Sequence, residues 1–324
     1  MPGALDTLIQ ARLSRPAPAG MLALADAARR HHGDNVLAVI GYGSCLRDGV
    51  APDRIVDLYL LLEHYGAMPD NRLLRAGNRL LPPNVYYLET PFEGELLRAK
   101  YAALTLSAFE KWVGPDTDNP YFWARFAQPS ALLHARDDAV SGRLTAAIAA
   151  AAATLLTNTL PLMPEQFSAR QLWTCALEQT YRTEWRSEGS QRAGQIIAAD
   201  LEYYQRLAAL ILPAIAPGHQ SADTEPGGAE PDDADEIHII DHSRLISHAA
   251  AARHWRRRRL AGKVLATLRL MKAAFTFQGG IDYLLWKVAR HSGVKLTPTE
   301  FQRRHPLLGA PALAWKLYRR GGFR

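Results

Sequence analysis

The sequence predicts an α/β domain followed by an α-helical domain and a basic amphipathic helical segment, and three observations predict it. Short apolar, β-prone runs alternate with helical stretches over the first third of the 324 residues. After Asp138 the texture changes to alanine-rich helix, and no strand pattern of comparable strength returns. The charge divides as sharply: from Arg253 onward 17 Lys or Arg face two acids, Asp282 and Glu300, whereas 1–252 hold 21 bases against 30 acids. The expected boundaries are an α/β domain over 1–138, an α-helical domain over 139–216, a flexible acidic loop over 217–236 and the basic segment over 237–324.

In order, 35–40 is a β-prone run ending in Gly41-Tyr42-Gly43-Ser44, and 55–62 is a second strand. A helix is expected over 71–80, then a third strand over 85–89 with Pro82-Pro83-Asn84 as its lead-in. The run 95–104 reads as a fourth strand or an early helix, 107–112 and 121–126 as helices, and 130–134 as an edge strand. Helices follow over 143–156, 168–185 and 194–215. The stretch 217–236 carries seven acids and no large apolar residue, so it cannot bury enough surface to offset chain entropy. Beyond it, 245–259 and 260–277 read as two helices, Gly279-Gly280 interrupts, and 281–291 and 311–320 read as shorter ones.

At 48% hydrophobic and 22% charged, the composition is that of a folded globular chain. The longest unbroken apolar run, 146–153, is shorter than the roughly 20 residues that cross a bilayer, so a spanning enzyme is not expected. The N-terminus, with Asp6 and scattered arginines, lacks the pattern of a leader, and the expected setting is cytoplasmic and reducing. Cys45 and Cys175 are too far apart for a zinc knuckle and too few for a disulfide scaffold, which leaves them as buried or half-buried thiols. His31-His32, His238, His242, His248 and His254 make no metal-ligand face with acids.

The sharpest local feature is Gly43-Ser44 directly after an apolar strand, with Asp57 inside the next strand. Such a turn lets backbone N–H groups and a hydroxyl approach a phosphate, because glycine removes the Cβ and Ser44 adds a short donor. A carboxylate on the neighbouring strand then holds the Mg²⁺ that bridges phosphates, which is nucleotidyl-transfer geometry. The competing reading is an ordinary β-turn. Lys100 offers a compact cation to a triphosphate, against an exposed lysine on a strand. Arg125 offers a planar fork to phosphate, against a salt bridge to Asp116 or Asp118.

The run Ile40-Gly41-Tyr42-Gly43-Ser44, the strand Val56-Asp57-Leu58-Tyr59, Pro83-Asn84-Val85-Tyr86-Tyr87, Lys100-Tyr101 and Arg125-Phe126 leading to Pro129 carry a resemblance. In order and spacing over 35–215 they resemble the mitochondrial-type phosphatidate cytidylyltransferases, the translocator assembly and maintenance proteins of the nucleotidyltransferase superfamily. The resemblance implies a nucleotidyltransferase-type mixed sheet and the conversion of CTP and phosphatidate to CDP-diacylglycerol and pyrophosphate with Mg²⁺. It implies Asp57 and Lys100 as catalytic, Gly43, Ser44, Lys100 and Arg125 as nucleotide-binding, and Asp57 as the metal ligand. The broader superfamily prefers a second acid two residues on, where this chain has Tyr59, as the narrower family has an apolar residue. Glu89 and Glu63 are therefore candidate metal ligands, with Asp53 in the loop before the strand, each against the reading of a solvated carboxylate.

Arg182 and Arg186 are candidates for the lipid phosphate, against a solvated arginine face. In the basic segment, Arg256, Arg257, Arg258, Arg259, Lys263, Arg269, Lys272 and Trp286 are the expected contacts with an anionic membrane, peripheral on its inner face. A helix docked on the catalytic core is the alternative. RNA would suit the four arginines too, yet nucleic acid is not the expected partner. The rival functions are nucleotide transfer to another phosphate or hydroxyl acceptor and an inactive basic membrane or RNA adaptor. The base selected and the oligomeric state, a homo-oligomer included, stay open.

Overall fold

The computed structural model describes residues 3–69, 71–185, 190–216, 218–222, 236–276, 280–292, 294, 296–304, 312–313, 315–316 and 319. The acidic loop and the 311–320 helix expected from sequence therefore lie largely outside the described residues, and Arg186 lies outside them entirely. In chain order the elements begin with α1 (Ala4–Leu13), α2 (Ala19–His32), β1 (Val36–Tyr42), α3 (Ser44–Asp48), β2 (Ile55–Leu62), α4 (Arg72–Leu80), β3 (Asn84–Phe92), β4 (Glu95–Thr105), α5 (Leu106–Val113), α6 (Tyr121–Phe126) and β5 (Ser130–Ala135). They continue with α7 (Asp138–Thr159), β6 (Gln166–Ser168), α8 (Ala169–Tyr181), α9 (Ser190–Ala198), α10 (Leu201–Ile215), β7 (Gln220–Ala222), β8 (Ile237–Ile239), α11 (His248–Thr276), α12 (Gly280–Ser292) and α13 (Glu300–Arg304). The chain forms two compact units, one of Met1–Leu13, Glu110–Pro129 and Gly142–Ala266, the other of Ser14–Phe109, Ser130–Ser141 and Thr267–Arg324.

The second unit is built on a mixed sheet, in agreement with the α/β expectation. Alternation in β2 sends Val56, Leu58, Leu60 and Leu62 to one face, all fully buried, and Asp57 to the other. The strand order is β3-β4-β2-β1-β5, with β2 and β4 parallel and the other pairs antiparallel. The 95–104 run is therefore a strand, and Leu97, Ala99, Tyr101 and Ala103 join the same apolar face. Helix α2 covers that face with Met21, Leu24, Ala25 and Ala28. Gly41 lies close beneath this layer: a Cβ there would stand 2.7 Å from Met21 Sδ and 3.1 Å from Leu133 Cδ1, so those two side-chain ends would have to shift.

At the end of α2, His32 is 5% exposed among Tyr86, Tyr101 and His31, and neither ring nitrogen has a hydrogen-bond partner. Burial, assisted by the charge of His31, lowers its pKa from 6.5 to about 4. The folded state thus holds a neutral ring while the unfolded chain takes a proton earlier. Stability present above pH 6.5 is lost as the pH falls towards about 4, by about 3 kcal/mol for this one group. Urea unfolding across that window should show the loss, and His32→Phe should flatten it by that amount; an unchanged pH slope in the variant would exclude His32 as its source.

In the same unit Asn71 caps α4 by accepting from Leu74 N at 2.9 Å, and buried Asn78 donates to Ala103 O at 2.9 Å and accepts from Asn84 N at 3.1 Å. Ile281 and Leu285 of α12 are buried in a small cluster with Leu313.

The helical unit packs α7, α8 and α10 among its elements. Ser168 and Gln171 form a capping box at α8, and Trp173 Nε1 donates to Tyr204 O at 2.8 Å. The sequence missed the small sheet β6-β8-β7, because strands of three residues are too short to show a period. The 194–215 helix is two, α9 and α10, separated at Asp200, which pairs with Arg12 at 2.6 Å. The run-length argument also missed one point: 138–162 is long and apolar enough to cross a membrane, although 61% of its apolar window is buried inside the protein, as in a core helix.

Candidate functional site

Strand register assembles the polar row of the sheet. Tyr42 of β1, Asp57 of β2, Lys100 of β4 and Tyr87 of β3 are direct cross-strand neighbours, on the face opposite α2. Lys100 Nζ lies 3.1 Å from Asp57 Oδ1, with the two side chains 38% and 32% exposed. That oxygen is itself buried and makes no well-directed hydrogen bond, so the lysine meets it as an ion pair only. Gly43 follows at the end of β1 with φ 87° and ψ −164°, a conformation open essentially to glycine alone. A Cβ on Gly43 would stand 3.7 Å from Asp57 Oδ2, which brings the turn and the carboxylate together. Ser44, half-buried, starts α3, and Cys45 behind it is buried, donating to Ile55 O at 3.3 Å. Burial and then the charge of Asp57 raise the Cys45 thiol, so it stays protonated. Burial likewise raises the half-buried Cys175.

Tyr87, quoted above within a motif but assigned no role, and Arg98, which sequence reading did not single out, also lie on this face. Tyr87 OH donates to Glu89 Oε1 at 2.8 Å, and Arg98 Nε donates to the same oxygen at 3.0 Å. Burial first, then Glu89, pushes the Tyr87 phenol up. The signal that finds them is the two-residue turn Glu93-Gly94, both with positive φ, which closes β3 on β4 and sets Tyr87 opposite Lys100. Tyr283 and Trp286 of α12 pack here, the first 5.7 Å from the Tyr87 ring, the second beneath Arg98 at 5.5 Å. Trp286, expected at a membrane, is thus engaged with Arg98. Tyr59 is 1% exposed, with its ring 5.4 Å from Tyr42, so an aromatic pair occupies the place of a second acid.

Among the described residues, the other carboxylate candidates do not converge on Asp57. Glu63 is six residues along the chain from Asp57, about 20 Å at strand spacing, and pairs with Arg136 at 2.9 Å. It lines a cavity of about 630 Å³ with Arg29, Arg30, Asp34, His134 and Arg136. Asp53 sits in the turn before β2. Glu89 is committed to Tyr87 and Arg98. Arg125 belongs to the helical unit, where it binds Glu184 at 3.1 Å and Tyr121 O at 2.6 Å, rather than Asp116 or Asp118. Arg182, 55% exposed, stands 3.7 Å from Glu178.

Among the described residues no three His, Cys, Asp or Glu side chains converge to hold a metal ion. The polar row offers one uncommitted carboxylate oxygen, Asp57 Oδ2, beside the glycine turn. That donor set fits Mg²⁺ as an ion that arrives on phosphate oxygens and takes one protein ligand, and does not fit a resident metal.

Within the basic segment α11 is one helix where two were expected, over 245–259 and 260–277, and it turns several of its bases inward. Arg258 is 8% exposed, held by Asp118 at 2.9 Å and Asn158 Oδ1 at 2.6 Å between the rings of Trp123 and Trp255. Arg257 also pairs with Asp118, Arg259 donates to Trp255 O at 3.4 Å, and Lys263 lies 5.2 Å over Trp185. Lys272 Nζ donates to Leu81 O at 2.5 Å and Pro83 O at 2.7 Å, and Arg269 Nε to Pro82 O at 3.2 Å. Arg253, Arg256 and, despite its ion pair, Arg257 remain exposed. Leu260, Val264, Leu268 and Met271, at helical spacing on one face, are exposed as well.

No protein-family model matches the chain, and no curated protein matches it.

Proposed function

We propose that this protein is a phosphatidate cytidylyltransferase, transferring CMP from CTP to phosphatidate to form CDP-diacylglycerol and pyrophosphate for phospholipid synthesis. The observation that carries the reading is the glycine turn held against Asp57, with Lys100 paired to the same carboxylate. The mixed sheet that presents them is read as a nucleotidyltransferase-type fold. The backbone of Gly43 and the hydroxyl of Ser44 hold the triphosphate, and Asp57 receives the phosphate-borne Mg²⁺. Lys100 supplies a cation to the charge that develops on the phosphates. A lipid phosphate oxygen attacks the α-phosphorus in line, one P–O bond forming as the bond to pyrophosphate breaks. When bound, Mg²⁺ neutralises phosphate charge and eases departure of pyrophosphate. The exposed apolar face of α11 with Arg253 and Arg256 supports a peripheral position on an anionic membrane surface, its inner face by this reading.

One observation favours a second reading, a catalytically inactive membrane adaptor: with Tyr59 against Tyr42, no second carboxylate joins Asp57 among the described residues. Four labelled nucleotides, offered with and without phosphatidate vesicles, separate the readings. Magnesium-dependent release of pyrophosphate from CTP, dependent on phosphatidate, is expected. Release with a different acceptor would make the protein another nucleotidyltransferase, and no release from any nucleotide would favour the adaptor.

A further inference from the structure

Helix α4 exposes two leucines among its arginines. Its inner side is fixed by Asn78 and by Arg75, which donates to Gly66 O. Its outer side holds Leu73 and Leu80, seven residues apart and hence on one face, 79% and 82% exposed. A single exposed leucine needs no explanation, but this pair has neighbours. A Cβ on Gly77, between them, would stand 3.7 Å from Lys272 Cδ, so α4 lies beside the 267–276 stretch of α11 within the sheet unit. That stretch exposes Leu268, Leu270 and Met271 by 45%, 65% and 58%. Arg72 and Arg79 of α4 are exposed, and neither α4 nor 267–276 contains an acid.

We propose that α4 and this stretch of α11 form one surface that inserts into the headgroup region of an anionic bilayer, with Leu73 and Leu80 as the deepest side chains. The choice of a bilayer rests on the proposed function above. Charge supports it: a second copy docked on the same patch would set arginine against arginine, whereas anionic headgroups meet the cations while the acyl boundary takes the leucines. The basic segment alone, on this view, is not the whole membrane contact.

Cosedimentation of the full chain with phosphatidylcholine vesicles, with and without phosphatidylglycerol, tests the surface. The double variant Leu73→Glu/Leu80→Glu should bind anionic vesicles about a hundredfold more weakly or worse, and Leu73→Ala/Leu80→Ala, which adds no charge, about tenfold more weakly. Both should keep the parent's thermal unfolding curve, since these side chains support no packing. Undiminished binding by the two variants would overturn the proposal, as would a parent that ignores anionic vesicles. So would self-association of the parent in vesicle-free solution that both variants abolish, because the face would then belong to a second copy. Turnover of CTP on dispersed short-chain phosphatidate needs no bilayer and judges the proposed function separately: its absence in the parent, with vesicle binding still lost in the variants, would sink the function and leave the surface standing.

Discussion

Asp57→Asn is expected to lower pyrophosphate release from CTP by several orders of magnitude while leaving the fold intact. The substitution keeps the size of the side chain and removes the charge that would receive a phosphate-borne cation. Its effect on stability should be small. The Asp57–Lys100 pair is 32% and 38% exposed, and pairs so placed are worth about 1 kcal/mol or less. Removing the carboxylate also takes one anion away from beside Lys100, so nucleotide binding should survive better than turnover. The measurement is a pyrophosphate assay beside thermal unfolding of the same preparation. Turnover close to the parent's, in a variant that folds, would remove Asp57 from the chemistry.

Gly43→Val should abolish CTP binding, and Ser44→Ala should only weaken it. At φ 87° and ψ −164° a β-branched residue cannot keep the turn, so the N–H groups at the end of β1 re-aim. The Ser44 change deletes one hydroxyl and should cost roughly 1–2 kcal/mol of affinity, a factor of about 5–30. Calorimetric titration with CTP distinguishes a loss in kind from a loss in degree. Equal affinities in the two variants would reduce the turn to a structural device with no phosphate to hold.

What the sequence discloses depends on the range over which each signal acts. The strand 55–62 was legible to the residue, and Asn71 marked the start of α4, because both are set by neighbours a few positions away. The pairing of Asp57 with Lys100 was not, since it follows from the parallel register of β2 and β4. Glu89 read as a free carboxylate until the Glu93-Gly94 turn set it opposite Arg98. Helix α11 defeats pattern reading more thoroughly. A run of arginines normally faces water, yet Arg258 faces inward because Asp118, 140 residues away, waits there with Asn158. Lys272 is likewise claimed by carbonyl oxygens at 81 and 83. Leu260, Leu268 and Leu270 of the same helix are left outside, an inversion that no local periodicity announces.

The placement of β5 at the edge of β1 has a consequence during synthesis. The chain leaves the ribosome N-terminus first at about 5–20 residues per second, so roughly 5–20 seconds separate β1 from the strand that covers it. During that interval the open edge of β1 is a template for pairing with other nascent chains. The Leu81–Asn84 turn waits longer still, until Lys272 emerges. A sheet finished by its latest segments has high contact order, folds slowly, and depends on holdase chaperones more than a sheet closed by sequential hairpins.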